Sequence, residues 1–165
     1  MGNQIKKVAP FFDRTLVIND NHYPHIPDPE FKYLPPHCNN VIDCNTLDWK
    51  LYEVANNAEK IRKHTLNAFL YGSHAWELLL NLKPKNVMVA GYVASIDVVP
   101  TCLGLMDAEQ NIYVHKDCIG DVSKERKEKA LEYLEFIGIP ILGGEINAES
   151  FSFFERQTSP VTSIS

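Results

Sequence analysis

The chain has 165 residues, 45% of them hydrophobic, which is enough to bury one sizeable core and is the length of a single domain. Its formal net charge of -5 comes from interspersed acids and bases, with no basic run able to neutralise a row of phosphates, so nucleic acid is not an expected partner. No stretch approaches the roughly 20 apolar residues that span a bilayer, and the polar start MGNQIKK lacks the apolar segment of a signal peptide, so the sequence implies a soluble, cytoplasmic protein without membrane contact.

Ile5, Val8, Ala9 and Phe12 follow the spacing of an amphipathic helix, and TLVIN, residues 15–19, is a β-branched apolar run that reads as a strand. From Asp20 to about Asp48 the chain is dense in Pro, Asn, Asp and His with neither helical nor strand period, and connections of that length usually carry function. Residues 60–62 read as a short strand. Ser73 is placed to cap a helix that buries Ala75, Leu78, Leu79 and Leu82 and stops at Pro84.

NVMVAG, residues 86–91, is an uninterrupted apolar run, as expected of a strand covered on both faces. A helix over residues 96–106 tolerates Pro100 only in its first turn. Residues 112–114 read as a strand, Ser123 caps a helix reaching Ile137 and ended by Gly138, and IPIL, residues 139–142, is the last strand. Strands alternating with helices of this length predict βαβ units and a doubly wound α/β sandwich with a mainly parallel sheet.

The expected division is a domain over residues 1–144 and a tail over 145–165, whose Phe151, Phe153 and Phe154 favour docking on the domain or on a partner before the chain frays. The four cysteines, Cys38, Cys44, Cys102 and Cys118, are scattered with no CxxC, which implies reduced thiols.

Asp20, His22 and His25 lie close together just after a strand, and His37 follows a Pro-Pro step, so three imidazoles and a carboxylate can converge on one divalent cation. That donor set suits zinc, iron or manganese, although histidines in a polar loop also occur simply as solvated side chains.

VINDNHYPHIPDPEF followed by LPPHCNN resembles the ligand segment of nicotinamidases in the isochorismatase-like hydrolase family. The resemblance covers about residues 5–143 and implies that family's three-layer αβα sandwich. It sets Asp20, His22 and His37 on the core metal positions, with His25 a further ligand for which Asp28 competes. Tyr23 before Pro24, Leu34 and the Asn39-Asn40 pair depart from the pattern and bear on pocket shape. Phe31 and Tyr33 are then ring contacts for a pyridine-carboxamide-like ligand, or alternatively core aromatics.

The family's chemistry uses a cysteine thiolate, an aspartate on the first strand and a supporting lysine. EKIRKHTLNAF offers Lys63 as the lysine, which without the resemblance would read as a surface residue. GYVASIDVV puts Asp97 where the resemblance implies the cysteine, and Asp97 also suits a simple capping role. Cys102 lies about 140° around the same helix and is no substitute. The first strand and its aspartate are expected to be missing, leaving a gap in the sheet unless neighbours close up or another chain supplies a strand.

The resemblance therefore implies a degenerate binding or assembly subunit that keeps a divalent metal, zinc first, in a homo-oligomer or with a partner chain. The alternative is a working metal-dependent amidohydrolase acting on nicotinamide or a related small amide, and a third reading is a scaffold without metal.

Overall fold

The computed structural model describes residues 1–22, 27–35, 37–38 and 58–145. Their elements alternate as expected for βαβ units, and every strand pairing is parallel. Cys44, His25 and the tail beyond Glu145 lie outside the described residues.

Helix α1, Gly2–Val8, buries Val8 and passes into a 3-10 turn over Ala9–Phe11. It stops short of Phe12 because Pro10 cannot donate a backbone hydrogen bond. Strand β1, Thr15–Asp20, pairs with β2, Ala58–Lys63, in a register that sets Thr15 beside Ala58 and Asp20 beside Lys63.

Helix α2, His74–Leu82, begins at Ser73, whose hydroxyl accepts the Trp76 N–H at 3.2 Å, and ends at Lys83 in the left-handed conformation just before Pro84. Of the expected stripe, Ala75 and Leu79 are buried, while Leu78 and Leu82 are only partly so.

Strand β3, Val87–Tyr92, leads into a π-helical turn, Ala94–Val98, and then helix α3, Val99–Asp107. Pro100 sits in the first turn of α3, where its missing N–H has no intrahelical partner to lose. Gly104 is required for contact: a Cβ there would stand 2.1 Å from Oδ1 of Asn67, the atom that accepts the Phe69 N–H.

Strand β4, Ile112–Gly120, is three times as long as the expected residues 112–114. The polar run His115, Lys116 and Asp117 hides the continuation, yet His115 is fully buried, with Nε2 3.1 Å from the Gly144 carbonyl and Nδ1 accepting the Asp117 N–H. Ser123 caps helix α4, Lys124–Phe136, with Gly138 left-handed after it. Strand β5 is only Ile141–Leu142.

The strands form two sets, β1-β2 and β3-β4-β5, and no pairing joins them among the described residues. Strand β4 is the covered one, packed by α1, α3 and α4, with Ile112 to Val114, Cys118 and Ile119 buried. The core gathers Ile61, Leu79, Val89, Leu105, Val114 and Leu134 around it.

The expectation of reduced thiols throughout is overturned at Cys38, which is disulfide-bonded; Cys102 and Cys118 are free and buried. Cys38 itself takes a left-handed turn conformation at φ 49. Burial pushes the Cys102 thiol up to about 12 and the Cys118 thiol up to about 11, so both are inert core groups.

Candidate functional site

Parallel pairing brings the ends of β1 and β2 side by side, and the turn after β3 closes on the same point. Lys63 Nζ donates to Asp20 Oδ1 in a short hydrogen bond, to Asp97 Oδ1 at 2.7 Å and to the Thr65 carbonyl at 3.2 Å. Its three N–H donors thus have three acceptors. Asp97 Oδ2 accepts the Val93 N–H at 3.2 Å. Burial alone would lower the Lys63 pKa, but the charges and hydrogen bonds of Asp20 and Asp97 outweigh it and hold the ammonium above the ordinary lysine value.

Asp97 owes its position to a network that the sequence reading did not single out. The Asp121 side chain, fully buried just after β4, accepts the Ser95 N–H at 2.7 Å and lies 3.5 Å from Arg126, whose Nη2 donates to Ser95 Oγ at 2.7 Å. Burial would raise the Asp121 carboxyl, yet these hydrogen bonds and Arg126 hold it below the usual carboxylate value. The only sequence signal was its place between a strand end and the Ser123 cap.

Beside this cluster lies a second one, built from the loop after β1 and the 3-10 turn Pro29–Lys32. Asp28 starts that turn by accepting the Glu30 N–H and holds His22 through a 2.5 Å contact between Oδ2 and Nδ1. Burial would raise the Asp28 carboxyl, but the bonds from His22 and Glu30 bring it below the usual value, so it is an anion that can only accept. A neutral His22 ring therefore carries its proton on Nδ1 and its lone pair on Nε2.

His37 shows the same logic: Nδ1 lies 2.9 Å from the Pro35 carbonyl, another pure acceptor, so in a neutral ring Nε2 is again the lone-pair nitrogen. That Nε2 stands 3.4 Å from Glu30 Oε1 without a hydrogen bond, and both Glu30 oxygens as well as His22 Nε2 are buried without a hydrogen-bond partner. Desolvation, with a further contribution from Asp20, raises the Glu30 carboxyl above its ordinary value. Two imidazole lone pairs and a buried carboxylate facing one another repel unless a cation lies among them.

The donor atoms of Asp20, His22 and His37 lie within 4.8 Å of one another, as do those of His22, Asp28 and Glu30. An all N/O set of this kind suits zinc, iron or manganese, so the residues present fit a divalent metal.

Of the residues singled out in the sequence, Asp20, His22, His37, Lys63 and Asp97 converge here. His25 lies outside the described residues. Phe31 packs on both imidazoles, with ring centroids 4.9 Å from His22 and 5.8 Å from His37. Tyr33 is 79% exposed and its ring carries Lys32 Nζ 5.5 Å from the centroid, so it faces solvent. Glu30 was missed because acids beside prolines in a polar loop read as solvated; its signal was its place between Asp28 and Phe31.

The described residues thus form a parallel α/β scaffold with a mixed carboxylate and imidazole cluster at its strand ends. The sequence profile of the isochorismatase domain matches residues 3–145, and the chain belongs to that family. Solved structures similar to it include a nicotinamidase from Bacillus subtilis, at 20% identity and a TM-score of 0.72 over 85% of this chain and 82% of that one. An N-carbamoylsarcosine amidase from Thermoplasma acidophilum matches at 21% identity and a TM-score of 0.70 over 89% and 84%. A pyrazinamidase from Pyrococcus horikoshii in complex with zinc matches at 20% and 0.65 over 87% of each chain. No match was found among curated proteins. No described helix is long and apolar enough to cross a membrane.

Proposed function

We propose that this protein is a metal-binding, nicotinamidase-like member of the isochorismatase family whose Asp/Lys/Cys triad is incomplete, and that it serves as a binding or assembly subunit for a small pyridine-carboxamide-like ligand. The observation that carries the metal is the facing set of unpartnered donors, His22 Nε2 and both Glu30 oxygens, with His37 Nε2 turned toward them. His22, His37 and Asp20 would hold the ion with Glu30, and His25 remains a further candidate. Zinc is the first choice, and such an ion supplies Lewis-acid binding to a ligand nitrogen or carbonyl oxygen.

The loss of turnover rests on Asp97 at the thiol position, tied to Lys63 and to the Val93 N–H, so that neither of its oxygens is a free nucleophile. Phe31 offers the ring contact, and Tyr33 contributes less because it faces solvent. The separation of the two strand sets supports assembly with another chain or a second copy. Residues 1–144 would form the working domain and 145–165 an accessory tail.

The second reading, a working amidohydrolase, is favoured by one observation: a carboxylate and an ammonium, Asp97 and Lys63, stand next to the donor set. Metal content by mass spectrometry on wild type and His22→Ala, with ammonia release from nicotinamide measured on the same samples, separates the readings. Near-stoichiometric metal lost in the variant without ammonia supports the binding subunit; metal with ammonia supports the enzyme; metal in neither sample overturns both.

A further inference from the structure

The site is unusually rich in negative charge for one meant to hold an anion. Asp20 and Asp97 share a single ammonium, Lys63, and the carboxyl groups of Asp28 and Glu30 stand in the adjoining cluster around His22. Among the described residues, the donors that touch Asp97 are spent. Lys63 has given its three N–H groups to Asp20, Asp97 and Thr65, and the Val93 N–H is taken by Asp97 Oδ2. Asp97 is also held firmly, because Asp121 and Arg126 fix the turn that carries it.

We propose, resting on the ligand-binding reading above, that Asp97 is the specificity-determining residue of this site and sets it to accept an uncharged carboxamide while rejecting the corresponding carboxylate. A ligand carboxylate beside Asp97 would bring a further anion where the ammonium of Lys63 and the Val93 N–H are already engaged. A carboxamide of the same shape brings no net charge and offers N–H donors to a carboxylate. The repulsion acts in a partly buried region, where water screens charges less than at the open surface, so the discrimination survives the damping by Lys63 and the metal.

The test is a calorimetric titration of the zinc-loaded full chain with nicotinamide and with nicotinate near neutral pH. Nicotinamide is expected to bind about tenfold more tightly than nicotinate. In Asp97→Asn, which keeps the shape, the ratio is expected to narrow to about threefold or less through tighter nicotinate binding. Equal or tighter nicotinate binding by wild type overturns the proposal without needing the variant, as does an unchanged ratio in a folded Asp97→Asn protein. If neither compound binds the wild type, the ligand reading itself fails and takes this inference with it.

Discussion

The two halves of the site hold similar residue types in opposite states. Around Lys63 every donor has an acceptor: Asp20, Asp97 and Thr65 surround the ammonium, and Asp97 passes its second oxygen to the Val93 N–H. Around Glu30 the reverse holds, for its two oxygens and His22 Nε2 are buried without partners. A closed network rigidifies, whereas buried polar atoms left open cost free energy that something else must offset. The contrast assigns a holding role to the Lys63 half and a binding role to the Glu30 half.

Breaking the closed half has the largest expected effect. Lys63→Met leaves Asp20 and Asp97 facing each other in a partly buried position and is expected to destabilise the fold by about 3 kcal/mol in urea denaturation. Because the folded pKa of Lys63 is raised, its contribution is fully present below about pH 10.4 and is lost as pH rises through the folded value. The gap between wild type and variant should therefore shrink only at strongly alkaline pH.

On the open half, Glu30→Gln keeps the volume and removes the charge, and zinc affinity measured by competition with a chelator is expected to fall about 100-fold. The same change should leave apo stability equal or higher, since a buried carboxylate without hydrogen-bond partners is removed. A variant that loses stability and keeps zinc would reverse the assignment of the two halves.

Asp121→Asn tests the support beneath Asp97 and is expected to cost about 1–2 kcal/mol. The Asp121 pKa is lowered in the fold, so its contribution is present above the ordinary carboxylate value near 3.9 and is lost as pH falls through the folded value. Urea midpoints at pH 7 and pH 3 check the sign, with the smaller difference expected at pH 3. Tyr33→Ala should move stability by less than about 0.5 kcal/mol and leave zinc binding unchanged, because its ring faces solvent.

The elements that read clearly in the sequence are those whose signals are local. Ser73 and Ser123 cap the helices they precede, and Pro100 sits in a first turn. Strand β4 was read short because burial of His115 depends on the distant Gly144 carbonyl. The same split runs through the site. Asp20, His22 and His37 stand out by spacing and family resemblance. Glu30 and Asp121 gain their significance only from tertiary placement: one from desolvation beside two imidazoles, the other from a turn that arrives from across β4. The disulfide of Cys38 was likewise invisible to spacing.

The most direct test of the division into a closed and an open half is X-ray absorption spectroscopy of the zinc-loaded protein. The predicted spectrum has a first shell of nitrogen and oxygen at about 2.0–2.1 Å with the outer-shell scattering of two imidazoles, and it loses that scattering in His22→Ala. A shell containing sulfur at about 2.3 Å, or one of water oxygens alone, would contradict the assignment of Asp20, His22, His37 and Glu30 as the residues that hold the metal.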